Sequence, residues 1–170
     1  MLENGDLILV KDSSDIGQAI QASTGNYSHV AIFLDGKVYH ATAEGGVLAQ
    51  SPEDFFEVEK VYDLYRYPKI DHKEVKKQAE SLLGSPYNSS FYPDGDGFYC
   101  SQFIAEILPI FETIPMKFGE GEQEISSFWE DYYRELGLTT PLNQPGTNPS
   151  QLAQSPRLQF KERYTDDYNY

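Results

Sequence analysis

An Asp-Gly pair at residues 35–36 joins two short apolar runs, and it constrains the fold of this chain more than any other local feature. The two runs are Ser28–Leu34 and Lys37–Thr42. Apolar segments joined by Asp-Gly are a strong short-range signal for a β-hairpin, because Asp and Gly both accept the backbone angles of a tight turn. The chain is therefore predicted to contain an antiparallel sheet around which its other elements are arranged.

Further elements are predicted from hydrophobic periodicity and from Gly, Pro and Asp turn signals. Predicted strands cover residues 5–11, 47–49, 58–67 and 158–163, and predicted helices cover 15–23, 52–56, 71–83, 100–111, 125–136 and a turn at 151–155. Residues 85–97 are predicted to form a loop, and residues 139–150 a coil. Strands grouped in the first half with helices around them indicate an α+β fold. We expect a single domain over residues 1–164 and a frayed tail at 165–170.

The predicted hairpin carries two of the three histidines of the chain, His29 and His40. In the register set by the turn, Ala31 lies opposite His40, and His29 lies two residues farther along on the same face. The two histidines are then diagonal neighbours about 7–8 Å apart. The third histidine, His72, begins a charged helix and is predicted to be surface.

The only cysteine, Cys100, lies where an apolar run of helical spacing begins, after a glycine and two aromatic residues. This places the thiol in the first turn of a helix, where free N–H groups and the helix dipole favour a thiolate. A lone cysteine at such a position, with a histidine elsewhere, is a candidate nucleophile. The alternative is a small buried hydrophobic residue, the commoner role of a free cysteine.

Two histidines on one sheet face, together with a cysteine at a helix start, allow three interpretations. In a catalytic triad, one histidine takes the thiol proton and the other orients it. Alternatively, the histidines make only local hydrogen bonds, or the three residues hold a metal ion. No pair of candidate ligands shows the short spacing typical of metal sites, so we predict no metal, and no motif indicates a cofactor.

The formal net charge of −14 excludes some classes of partner. A strongly acidic surface repels phosphate backbones and anionic lipid, so neither nucleic-acid binding nor electrostatic docking on membranes is expected. No apolar run approaches the roughly 20 residues of a membrane span. The first residues lack the pattern of a signal peptide, so the sequence as written indicates the cytoplasm, or export if a leader has been removed. Nothing in the sequence indicates the oligomeric state.

Several short segments together resemble a known family, the YiiX/YaeF-like proteins, which are circularly permuted papain-fold cysteine hydrolases of the NlpC superfamily. The segments are Gly5-Asp6-Leu7-Ile8, Tyr27-Ser28-His29-Val30-Ala31-Ile32, Val38-Tyr39-His40-Ala41, Gly84-Ser85-Pro86-Tyr87-Asn88 and Tyr99-Cys100-Ser101-Gln102. The resemblance extends from Gly5 to about Phe160. It implies a permuted papain-like fold, with an antiparallel sheet or partial barrel packed by helices.

The resemblance also implies roles for individual residues. Cys100 corresponds to the nucleophile, His29 to the general base and acid, and His40 to the third member. Many relatives carry Glu at the third position, and His there is similar to the lecithin retinol acyltransferase-like branch. Tyr27 lines the cleft, helps the oxyanion or only packs, and we also assign substrate or oxyanion contacts to the neighbours of the cysteine, Tyr99 and Ser101.

The activity implied is hydrolysis or acyl transfer through an acyl-enzyme, on a peptide-type amide such as a cell-wall stem peptide or on a lipid acyl group. The expected partner is thus a small peptide or lipid-type substrate. The rival interpretation is a non-catalytic ligand-binding module that keeps the same fold.

Overall fold

The computed structural model describes residues 2–57 and 60–164 of the chain. The tail predicted at 165–170 lies outside the described residues. In chain order the elements are β1 (Leu7–Lys11), α1 (Asp15–Thr24), β2 (His29–Leu34), β3 (Lys37–Thr42), β4 (Gly46–Gln50), α2 (Pro52–Phe55), β5 (Val61–Arg66), α3 (His72–Ser81), α4 (Cys100–Ile107), β6 (Ile114–Pro115), α5 (Ser127–Leu136), β7 (Pro145–Gly146), α6 (Pro149–Ala153) and β8 (Gln159–Tyr164).

Within the described residues, six strands form one antiparallel sheet in the order β4-β3-β2-β1-β5-β8. The predicted α+β class is confirmed. The sheet is open, with β4 and β8 at its two edges. Of the two expected arrangements, an antiparallel sheet or a partial barrel, the chain therefore adopts the sheet.

The predicted hairpin is confirmed in position and register. Asp35 and Gly36 have φ angles of 47° and 82°, and positive φ at both central residues is the requirement of a type I′ turn. The paired residues run from Leu34–Lys37 to Ile32–Tyr39. Among the described residues the ladder between β2 and β3 ends there, so the His29 end of β2 lies beyond it.

The two faces of the sheet carry different cores. On one face α4 packs against β2 and β3, and the buried residues there include Val30, Ile32, Tyr39, Ala41, Phe103 and Ile104. On the other face α2 and β5 contribute to a smaller cluster that includes Ala31, Val38, Phe55 and Tyr62. This alternation places neighbouring residues of β2 on opposite sides of the sheet.

A third, aromatic core is built by the segment from β6 to β7. Its buried residues are Met116, Phe118, Trp129 and Tyr133. The coil predicted for 139–150 is partly wrong, because Pro145 and Gly146 pair with β6 and α6 begins at Pro149. Two-residue strands have no periodicity to detect, and their pairing joins positions about thirty residues apart.

Among the described residues, no helix combines the length and the apolar character needed to cross a membrane.

Candidate active site

Cys100 is the first residue of α4, as predicted. Tyr99 is the N-cap residue, and its backbone N–H donates to Oε1 of Gln102 at 3.1 Å, which closes the first turn. The chain enters this turn through Gly97, whose φ is +81° and where a Cβ atom would lie 1.8 Å from the carbonyl oxygen of Pro86. Only glycine fits there, so the loop before Cys100 fixes the direction from which the cysteine enters the helix.

The thiol of Cys100 is influenced by nearby backbone N–H groups. Those of Val30, Ser101 and Cys100 itself lower the pKa of the thiol, and Val30 directly follows His29 in the chain. These groups favour the thiolate, but only 6% of the residue is exposed. Burial outweighs them and raises the pKa of the Cys100 thiol to about 11. The N–H groups at the helix start do favour the thiolate, but burial has the larger effect, so the net shift of the Cys100 pKa is upward.

The predicted pairing of His29 with His40 is confirmed, and a third residue extends it. Nε2 of His29 lies 2.8 Å from Nδ1 of His40. Nε2 of His40 lies 2.5 Å from Oε1 of Gln50, the last residue of β4. We call Gln50, His40 and His29 the histidine chain; it runs diagonally across three adjacent strands.

Both imidazoles of the histidine chain, His29 and His40, are uncharged at neutral pH. Burial, together with the neighbouring His40 ring, lowers the pKa of His29 to about 3. Burial also lowers the pKa of His40, and the hydrogen bond to Gln50 opposes that shift only in part. The ring of Phe55 covers His40 edge-on, with ring centroids 5.0 Å apart. Free of ligand, the site therefore combines a neutral thiol with neutral imidazoles.

Cys100 and the histidine chain approach each other from opposite faces of the sheet. Cys100 belongs to the core under α4, whereas His40 contacts Phe55 in the core of the other face. The backbone N–H of Val30, the residue after His29, lowers the pKa of the Cys100 thiol and so links the thiol to the end of β2, beyond the last pair of the β2–β3 ladder. Among the described residues no hydrogen bond joins Cys100 to His29, so the structure brings the two histidines together but does not connect them directly to the thiol.

A cleft opens over Cys100 on the α4 side. Its lining includes Cys100, the neighbouring residues Tyr99 and Ser101, and Ser28. The lining also includes four large apolar side chains: Phe91, Met116, Phe118 and Trp129. We call these last four residues the aromatic wall. Lys117 is the charged side chain of the lining, and its Nζ donates to Oδ1 of Asn143 at 2.6 Å. The thiol therefore faces a mainly apolar space with one cation at its border.

The other predicted contact residues are found in different places. Tyr99 and Ser101 both line the cleft and are linked through Thr147, whose N–H donates to the Tyr99 hydroxyl and whose hydroxyl donates to that of Ser101. Tyr27 is buried, and its hydroxyl donates to Asp63 at 2.5 Å. This position agrees with the packing alternative for Tyr27. His72, predicted as surface, is half-buried at the first position of α3.

The sequence interpretation missed Gln50 and the aromatic wall. Gln50 was within reach of the same register count: β4 pairs Leu48 with His40, so Gln50 lies two residues farther along on the same face. No local signal existed for the wall, because Phe91 and the 116–129 segment meet only in the folded chain.

The described residues contain no group of three or more His, Cys, Asp or Glu side chains arranged to hold a metal ion.

Comparison with known proteins identifies the fold and the family. A family model described as a permuted papain-like amidase enzyme, of the YaeF/YiiX or C92 family, matches residues 1–160. A crystal structure described as metalloprotein yiiX from Escherichia coli O157:H7 is 22% identical, with a TM-score of 0.76, over 96% of this chain and 98% of that one. At this identity the likeness concerns the fold alone. No curated protein matches the chain.

Proposed function

The chain belongs to the permuted papain-like amidase family YaeF/YiiX, and from this premise we propose that Cys100 is the nucleophile of a cysteine-dependent amide or ester hydrolase. The observation that carries the proposal is the position of the thiol: it lies at the start of α4, in an apolar cleft, against the backbone N–H of the residue next to His29. A nucleophile needs access to substrate and a base nearby. The cleft supports the first requirement, and the influence of the Val30 N–H on the thiol, one residue after His29, supports the second.

The reaction begins from a neutral pair. Because the thiol pKa is raised and the imidazole pKa of His29 is lowered, the proton leaves sulphur only as sulphur attacks. Sγ forms a bond to the substrate carbonyl carbon, and the thiol proton moves to His29. His29 then gives this proton to the leaving amine or alcohol, which departs with the electrons of the broken bond. Water, or a second acceptor in an acyltransferase, attacks the thioester and restores the thiol.

The oxyanion is held by the N–H groups at the start of α4. The backbone N–H groups of Cys100 and Ser101 already lower the pKa of the thiol in the free protein, so they act near the sulphur. The tetrahedral oxygen forms beside the same sulphur, so these donors are available to it without rearrangement. In this scheme His40 orients the ring of His29 through the hydrogen bond between Nδ1 of His40 and Nε2 of His29.

The substrate is proposed to present an apolar group next to its carbonyl. The aromatic wall faces the thiol across the cleft, and burial of apolar surface against such a wall contributes about 25 cal/mol for each Å² removed from water. A lipid acyl group and a peptide with an apolar side chain both satisfy this requirement.

A second function is favoured by the pKa values. A thiol with a raised pKa, without a hydrogen bond to His29 among the described residues, suits a module that binds an apolar ligand and does not react with it. In that case Cys100 is part of the lining only.

Metal catalysis is not part of the proposal. The neighbour of known structure is described as a metalloprotein, but the described residues of this chain offer no cluster of three ligands. The histidine nitrogens that face each other and Gln50 are engaged in hydrogen bonds, so no step is derived through a metal.

The test is an acylation experiment with p-nitrophenyl esters of short and medium fatty acids. We expect a burst of one nitrophenolate per chain and an acyl group on Cys100 by mass spectrometry. The burst is lost in Cys100→Ala and in His29→Ala but kept in His72→Ala, a matched control at the start of α3. Absence of a burst in the unaltered protein, together with saturable binding of the fatty acid, would establish the binding module.

A further inference from the structure

The geometry points to Gln50 as a positioning residue that fixes which nitrogen of each histidine carries the proton, and thereby leaves Nδ1 of His29 free to accept the thiol proton. This inference rests on the proposed function and names a further residue for it. Gln50 touches neither Cys100 nor the cleft lining; it acts through His40.

The amide of Gln50 places its Oε1 2.5 Å from Nε2 of His40. An amide oxygen only accepts hydrogen bonds. Nε2 of His40 must therefore carry a proton. In a neutral imidazole only one nitrogen does so, and His40 is neutral because burial lowers its pKa. Nδ1 of His40 is consequently a bare acceptor.

The tautomer of His40 in turn determines that of His29, on the neighbouring strand β2. Nδ1 of His40 lies 2.8 Å from Nε2 of His29. A bare nitrogen needs a donor, so Nε2 of His29 must carry the proton of that ring. His29 is also neutral, which leaves its Nδ1 without a proton. A general base needs this unprotonated nitrogen, and the tautomer of a histidine is set by the hydrogen bond that its other nitrogen makes.

The reverse orientation of the amide has the opposite result. If the NH₂ group of Gln50 faced His40, His40 would donate to His29, and Nδ1 of His29 would already hold a proton. With that proton in place, Nδ1 of His29 would be a donor and could not act as the base. The side-chain oxygen of one residue, on the edge strand β4 and two strands away from β2, thus decides whether His29 can take the thiol proton.

The surroundings support a directional role for Gln50. His40 is buried, with 6% of its surface exposed, and Phe55 covers its ring. The charged groups that act on the two rings are few among the described residues: Asp12 raises the pKa of His29, and Lys60 lowers the pKa of both. Neither of these charged groups is hydrogen-bonded to the rings, so the Gln50 amide controls the tautomer of His40.

The first measurement is direct and needs no substrate. Long-range ¹⁵N–¹H correlation spectra distinguish a ring nitrogen that carries hydrogen from a bare one. We expect protonated Nε2 and bare Nδ1 for both His29 and His40 in the unaltered protein. In Gln50→Leu we expect His40 to become a mixture of tautomers, and His29 to follow it. Gln159→Leu, which alters a glutamine at the end of another strand, is the matched control and should leave both rings unchanged.

The second measurement uses the nitrophenyl ester burst. Loss of the partner that orients a metal-bound histidine typically costs about 10–100-fold in activity. By analogy, we expect Gln50→Leu to slow acylation about 10–100-fold without changing the half-saturating ester concentration. Gln50→Glu keeps an acceptor oxygen and should restore most of the rate. Its negative charge also raises the pKa of His40, so the acid limb of its pH–rate profile should move to higher pH.

The two measurements separate the possible failures. Protonated Nδ1 on both rings of the unaltered protein overturns the inference, as does a Gln50→Leu variant whose tautomers and acylation rate are both unchanged. Equal loss of rate in Gln50→Leu and Gln50→Glu would mean a merely structural role and also overturns it. If the expected tautomers are found but the unaltered protein gives no burst, the arrangement of protons stands and the proposed hydrolase is wrong.

Discussion

The histidine chain and the aromatic wall lie on either side of Cys100, and they are stabilised by different kinds of interaction. The histidine chain is a series of single hydrogen bonds, 2.5 Å and 2.8 Å long, in which direction matters more than area. The aromatic wall is a set of ring contacts, such as Trp129 against Phe118 at 5.4 Å and against Phe91 at 5.9 Å. Substitutions in the aromatic wall should therefore alter the stability of the protein and the shape of the cleft. Substitutions in the histidine chain should alter proton transfer.

The largest effect is expected from removal of the Trp129 ring. This side chain is 2% exposed and central to the aromatic core, and truncation of a buried aromatic residue costs about 3–5 kcal/mol. Urea unfolding of Trp129→Ala followed by circular dichroism measures the loss. Phe128→Ala, next to it on α5 and only half-buried, should cost clearly less. Equal losses would show that the wall is not a packed core.

The second prediction concerns the neutral thiol. Because the pKa of Cys100 is raised to about 11, alkylation by iodoacetamide should be slow at pH 7.5 and should still be rising at pH 10. Compared with a free thiol of pKa about 8.5, the thiolate fraction at pH 7.5 is lower by at least about a hundredfold. Mass spectrometry of timed samples measures the rate, with the urea-unfolded chain as reference. A plateau below pH 7 would instead mean a preformed thiolate–imidazolium pair.

The third prediction is a loss of stability in acid that comes from the histidine chain. The folded pKa of His29 is about 3 and the unfolded value about 6.5, so between these values the unfolded chain binds the extra proton. The free energy of unfolding should therefore fall as pH decreases from 6.5, by up to about 1.4 kcal/mol per pH unit from this group. Urea unfolding at pH 7, 6 and 5 measures it.

His29→Gln cannot titrate and should show a flatter dependence on pH than the unaltered protein. Gln159→Leu, which removes no titratable group, is the control and should keep the original slope. If His29→Gln and the unaltered protein lose stability in parallel, His29 is not held neutral by the fold.

The smallest effect is expected at Gly146, which lies beside Met116 of the aromatic wall. A Cβ atom there would lie 2.6 Å from Cγ of Met116 and 3.0 Å from the Tyr99 hydroxyl. Gly146→Ala should push the flexible Met116 side chain into the cleft. We expect acylation by a medium-chain ester to slow several-fold relative to a short-chain ester. The double variant Gly146→Ala/Met116→Ala should restore the ratio, and an unchanged ratio in the single variant would exclude Met116 from the acyl site.

The sequence predicted the histidine pair because hairpin geometry is local. Two residues of turn with positive φ set the register, and the period of two along each strand then determines which side chains share a face. The same register count, continued across the next turn from β3 to β4, would have included Gln50. Cys100 at the start of α4 was equally local, since an apolar run and its preceding glycine mark the helix start.

The sign of the thiol pKa was not predictable in the same way. The free N–H groups of the helix start are visible in the sequence, but the degree of burial depends on β2, α4 and the cleft lining together. In the folded chain, burial dominates. The aromatic wall was not predicted for a related reason. Its members are distant in sequence, and the nearby strands β6 and β7 are only two residues long.

By itself, then, the sequence of this protein determined the antiparallel hairpin, the neighbouring histidines and the helix that begins at the cysteine, because each depends on spacing within a few residues. Only the tertiary structure decided that the thiol and the imidazoles are neutral, that they approach from opposite faces of the sheet, and that an apolar wall faces the sulphur. Desolvation and contact between distant segments exist only when the chain has closed on itself.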